Sequence, residues 1–256
     1  MSKRKKFVFA AAVLAVTFFV TASQVAINRL LGISIISLFS VCLFAWSLSD
    51  ELHNDATLLV FILPALFTFG VGSFWFLLPS VAVARIPVVV MYGIGMYALA
   101  LTANIITVSK VRTIALLRAA KSVSFVITLV TSFLLFDGIF SLKANIVVNM
   151  LLSFLTVLLL FLPAIWVTNL NRKLSKEIII HSLTYSYIIS LFTGMLYFLP
   201  VSVVVASILL TVSLYVILGL AQAHHEGRLF KETAREYLIV GLLVFLTMVL
   251  STSWRG

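Results

Sequence analysis

The chain is short of charge: of its 256 residues only 10% are Asp, Glu, Lys or Arg, against about a quarter in an ordinary soluble domain. That excludes a soluble globular protein. It also excludes a disordered chain, which needs low hydrophobicity and high net charge, whereas 62% of the residues here are hydrophobic. Cysteine is nearly missing. The single Cys42 permits no intrachain disulfide and no Cys-based zinc site, and within its apolar run it reads as a small buried residue. Several catalytic signatures are absent too. There is no Gly-rich phosphate loop, which rules out a nucleotide-driven motor within this chain, and no Gly-x-Ser-x-Gly elbow. No paired Asp motif stands ready to hold magnesium against a diphosphate. The four histidines form neither the boxes of membrane desaturases nor the HExxH of zincins.

What fills the chain instead is long apolar runs, with a mean hydropathy of +1.21. A spanning helix needs about 20 mostly apolar residues, and irregular backbone is not tolerated in hydrocarbon. Dividing the sequence at its polar clusters predicts an all-α integral membrane protein, a single multi-pass domain of about nine spans. They cover residues 7–26, 30–48, 56–78, 87–108, 122–140, 146–167, 178–199, 201–220 and 237–253. The connections are short and leave no room for a soluble domain.

The net charge of +10 suggests nucleic acid only in a soluble protein. In a membrane protein, Lys and Arg concentrate in cytoplasmic loops. With the N-terminus inside, 14 of the 18 basic residues lie at the cytoplasmic face and only Arg29, Arg85, Lys143 and Arg255 lie outside. The expected placement is therefore a plasma membrane of the prokaryotic type, N-terminus cytoplasmic and C-terminus outside. Lys3–Lys6 followed by Phe7–Val20 and Val20-Thr21-Ala22 also resembles a secretory signal. Cleavage there would leave eight spans in the same orientation, but an uncleaved anchor is the preferred reading.

Few groups remain for chemistry. Asp137 is the one carboxylate inside an apolar run, near the outer end of the fifth span. It reads either as a cation or proton site or, preferentially, as an interfacial group loosely paired with Lys143. Asn104, Asn149, His181 and Tyr185 are further cavity or ion candidates, with Thr184 and Tyr187 adding to the polar start of the seventh span. Asp50, Glu51 and His53, together with His224 and His225, form a candidate cytoplasmic metal set, against the blander reading of a solvated turn. The Asp50–Asp55 stretch is the only inner loop without Lys or Arg. No cofactor is legible.

Pro64 and Pro163 predict kinks in the third and sixth spans. Gly70, Gly72, Gly93 and Gly95 predict a tight hairpin of the third and fourth. Residues 227–237 alternate as an amphipathic surface helix whose Arg228, Lys231 and Arg235 meet anionic headgroups. Residues 76–83 and 198–205 form similar Leu-Pro strings, a match that chance explains in so apolar a sequence.

These features point first to a non-enzymatic multi-pass protein, a small permease or a component of a membrane complex, with lipids as its partners and no identifiable protein partner. The alternative is an intramembrane enzyme acting on a lipid or isoprenoid at the cytoplasmic face.

Overall fold

The computed structural model describes residues 3–23, 29–49, 55–79, 82–109, 116–169 and 175–252. Among them there is no strand and there are nine α-helices: α1 (Lys3–Ser23), α2 (Arg29–Ser47), α3 (Ile62–Trp75), α4 (Ala82–Ser109), α5 (Leu117–Ser141), α6 (Ile146–Asn169), α7 (Lys176–Tyr197), α8 (Val203–His225) and α9 (Lys231–Ser251). A 3-10 helix, Asp55–Phe61, leads into α3. Eight helical stretches, those of α2 to α9, are long and apolar enough to cross a membrane. The protein is an all-α, multi-pass membrane protein. Several helices extend past the apolar runs, as α5 takes in Arg118 and Lys121 and α9 begins at Lys231. Backbone hydrogen bonding does not stop where hydrocarbon does, so polar turns continue the helix beyond the apolar segment.

The chain forms two compact units, residues 1–131 and 132–256, and the division falls within α5. In the first unit α1 packs on α2 and α4, and α2 on α3. The buried face of α1 is Phe7, Ala10, Ala11, Leu14 and Phe18, the spacing of one helical stripe. Phe18 meets Trp75 edge-on at 5.5 Å and Tyr92 at 4.8 Å, and Phe67 stacks on Tyr92 at 5.9 Å. Without a hydrophobic driving force between helices in lipid, such packing and interhelical hydrogen bonds carry association. The Ser37 hydroxyl donates to the Ala65 carbonyl across α2 and α3, and the Thr68 and Tyr92 hydroxyls share a bond of 3.0 Å across α3 and α4.

The glycines act differently from the predicted hairpin. Only Gly95 receives a side chain across α3 and α4, the Phe67 ring; Gly72 accommodates Ile33 of α2 and Gly93 faces Ala15 of α1. At Pro64 the helical stretch has just changed from the 3-10 helix Asp55–Phe61 to α3. Pro64 is the third residue of α3, and a proline disfavours the α conformation of the residues before it, in keeping with the 3-10 turn there. Cys42 is exposed rather than buried, on a helix whose outer face is apolar and needs no protein cover in a bilayer.

In the second unit α6 and α7 form the most extensive pair, and α8 packs on α6, α7 and α9. The buried face of α7 includes Ser182, Ser186, Ser190 and Gly194, small residues four apart that let the backbones approach. Pro163 lies inside α6, which continues to Asn169. The Gln222 side-chain amide of α8 donates to the Ala164 carbonyl at 3.0 Å, beside that proline.

Residues 227–237 do not form a separate surface helix. The Gly227 N–H bonds to the His224 carbonyl and the Arg228 N–H to the Ala223 carbonyl, with Gly227 at φ +67°. This is a Schellman stop, which needs a left-handed residue that glycine supplies without steric cost. The helix resumes at Lys231 and runs unbroken to Ser251. The two Leu-Pro strings begin at the ends of α3 and α7. Phe76 and Phe198 both cap their helices in the right-handed conformation.

Candidate functional site

Asp50, Glu51 and His53 lie outside the described residues. The histidines of the second unit are described, and two of them meet. Glu177 and His181 stand one turn apart near the start of α7, while His224 and His225 are the last two residues of α8, not the opening of a loop. Antiparallel travel brings these helix ends together. His181 Nδ1 and His225 Nε2 lie 3.2 Å apart in a hydrogen bond whose donor depends on the tautomer. Around them, the Tyr185 ring lies 6.0 Å from His181 and 5.6 Å from the fully buried Phe161, and His224 lies 5.9 Å from His225. Both paired rings are half-buried, and His224 is exposed. Thr184 and Tyr187 are exposed as well, so the polar start of α7 divides between an outer face and the histidine pair. Among the described residues no three His, Cys, Asp or Glu side chains converge to hold a metal ion as they stand.

The other polar candidates of the second unit are on α5 and α6. Asp137 is four residues from the end of α5, and Asn149 is three from the start of α6. The two helices join through residues 142–145, so the two side chains start from similar depth, about one turn in. Asp137 is only 4% exposed and Asn149 3%. The loose pairing of Asp137 with Lys143 is not found. Lys143 is exposed, at φ +48° in the turn, and among the described residues no donor or basic side chain reaches the Asp137 carboxylate. The Asn149 amide nitrogen donates to the Ala144 carbonyl at 3.4 Å, but its oxygen has no partner. One turn further, the Ser153 hydroxyl is buried without a partner too.

Asn104 is half-buried on α4 in the first unit, where its carbonyl accepts from the Thr107 hydroxyl at 3.0 Å. Arg85 also belongs to that unit. Its guanidinium lies 5.1 Å over the Trp75 ring, and its Nε is buried without a hydrogen bond. In the second unit an apolar groove of about 360 Å³ opens between α7, α8 and α9, lined by residues such as Phe192, Leu209, Val216, Leu238 and Phe245. None of the predicted polar residues lines it.

Sequence reasoning missed Ser153, Gln222 and the serine row of α7. A signal for the row existed in the four-residue spacing of Ser182, Ser186, Ser190 and Gly194. Nothing comparable marks Gln222, whose role depends on where α6 passes. Comparison with curated proteins and with solved structures finds no match. A family model described as "protein of unknown function (DUF5656)" matches residues 10–251, so this multi-pass chain belongs to that family.

Proposed function

We propose that this protein is a small, non-enzymatic permease of the plasma membrane, with its N-terminus in the cytoplasm, and that Asp137 is the group on which a proton or small cation is carried. The observation that supports this is the burial of Asp137, 4% exposed and without a partner among the described residues. An ionised carboxylate within a membrane-spanning helix costs several kcal/mol unless it is paired, protonated or cation-bound. Side chains under that constraint are found on ion and proton paths. The unpartnered oxygens of Asn149 and Ser153 add neutral oxygen donors on the next helix, the kind that replace a cation's water. The basic turn at Arg228, Lys231 and Arg235 faces the anionic headgroups of the cytoplasmic leaflet in this reading.

Labelling with a hydrophobic carbodiimide, which reacts with protonated carboxyls in apolar surroundings, tests the site in the full-length protein. Asp137 should be modified ahead of the other carboxylates, and sodium or potassium should protect it if it binds the cation. Proteoliposomes should dissipate an imposed proton or cation gradient, and Asp137→Asn should abolish that flux while the protein still reconstitutes. Equal flux from both proteins would overturn the proposal.

A second reading, a component of a larger membrane complex, draws on α9. Only 6% of its stretch Lys231–Leu250 is buried within the chain. A photo-crosslinker at Leu243 should then capture one protein repeatedly; lipid adducts alone would count against this reading.

A further inference from the structure

The histidine pair where the start of α7 meets the end of α8 stands apart from the carboxylate site, and its geometry points to a second chemistry. We propose that His181 and His225 form a binding site for a divalent transition metal of the zinc class, with Glu177 as the third protein ligand and water completing the sphere.

The spacing carries the argument. Two imidazole nitrogens bound to one zinc ion at about 2.0–2.1 Å each, and separated by the 3.2 Å seen here, subtend an angle at the metal of about 100–106°. That is close to the tetrahedral angle zinc adopts. The two donors come from different helices, so their approach is set by the fold and not by adjacency in sequence. The bond between the rings uses one proton, and a metal can take its place when His181 carries its proton on Nε2 and His225 on Nδ1.

Glu177 is the third ligand in this proposal because of its place on α7. It precedes His181 by four residues on α7, the spacing at which helical side chains share a face. Glu177 does not converge with the pair as it stands, so its exposed side chain has to change rotamer for its carboxylate to reach the metal. Two histidines and a glutamate with an open fourth position are a donor set that zinc accepts. Cobalt, nickel and copper suit imidazole equally. The rings are half-buried and not enclosed, and the neighbouring His224 is exposed. Tyr185 and Phe161 wall the other side.

The test uses the full-length protein in detergent, stripped of metal and then titrated with Zn²⁺ against a chromophoric chelator and separately with Co²⁺. One equivalent per chain is expected, with the intense visible bands of tetrahedral Co²⁺. His181→Ala and His225→Ala should each weaken binding by more than about 100-fold, beyond what loss of an outer-shell partner commonly costs. Glu177→Gln should weaken it less, and His224→Ala should leave it unchanged. His225→Cys keeps a soft donor at the site and should retain Zn²⁺, which separates loss of a ligand from loss of the fold. Octahedral Co²⁺ spectra, binding that survives both alanine variants, or binding lost with His224 would each overturn the proposal. Flux through Asp137 is not read by this titration, so the two proposals fail separately.

Discussion

The Ser190 hydroxyl of α7 donates to the Met150 carbonyl of α6 at 2.9 Å, and one turn further Gly194 faces the thioether of the same Met150. A hydrogen bond and a gap for a side chain thus recur on one residue, which pins the register of the α6–α7 pair. A Cβ at position 194 would sit 2.9 Å from Met150 Sδ, and methionine is flexible enough to give way. Gly194→Ala should therefore cost little. Gly194→Leu should cost about 1–3 kcal/mol by overpacking, read as a lower midpoint of denaturant unfolding in micelles.

The contact of Gly219 with the Tyr237 ring, which joins α8 to α9, is tighter, because a Cβ there would collide with the body of the ring. Tyr237 is also held by Tyr215 at 5.0 Å. Gly219→Ala should separate the two helices, and Tyr237→Ala in the same chain should recover part of the loss. A disulfide-trapping assay between cysteines at positions 216 and 241 reports the separation directly, since Gly241 lies against Val216. Additive effects of the two substitutions would show that they do not share this contact.

Tyr92 separates two kinds of stabilisation in the first unit. Tyr92→Phe removes the bond to Thr68, whose hydroxyl still donates to the Pro64 carbonyl at 2.8 Å, so the expected cost is about 0.6 kcal/mol. Tyr92→Ala empties the place between Phe18 and Phe67 and should cost about 3–5 kcal/mol. Similar losses from both variants would show that the hydroxyl dominates. Phe18→Ala should approach the larger figure, because α1 supplies the edge of this cluster.

The stop of α8 is set by one backbone conformation. Gly227→Ala places a Cβ at φ +67° and should cost about 1 kcal/mol, with Gly227→Asn milder because asparagine tolerates that region. Unfolding midpoints of the two variants check the order.

Orientation is open to a direct measurement. With Cys42 replaced by alanine, a membrane-impermeant maleimide added to intact cells should label Lys143→Cys and spare Arg228→Cys until the membrane is opened. Both positions are exposed in the fold. The reverse pattern would invert the topology drawn from the basic loops.

The positions of the long helices could be read from the sequence because apolar length and polar punctuation are properties of each segment alone. Glu177 and His181 share a face of α7 for the same local reason. The pairing of His181 with His225 could not be read, since 44 residues separate them and only the antiparallel return of α8 brings them together. Asp137 is a case in which the fold differs from the preferred reading in two respects, its burial within the protein and the lack of a pairing with Lys143. From the sequence it stood next to a turn and six residues from a lysine, which describes an interfacial, solvated group. Burial depends on what packs across a helix, and the structure leaves the Asp137 residue only 4% exposed with no lysine paired to it among the described residues.

Composition and run length by themselves determined that this chain lives in a membrane as a set of helices, because the cost of leaving so much apolar surface in water admits nothing else. Tertiary structure alone decided which helices touch, which glycines take a neighbour's side chain, and which few polar groups are buried. Those outcomes depend on distances between residues far apart in the chain, and a bilayer treats all apolar faces alike until side chains interlock.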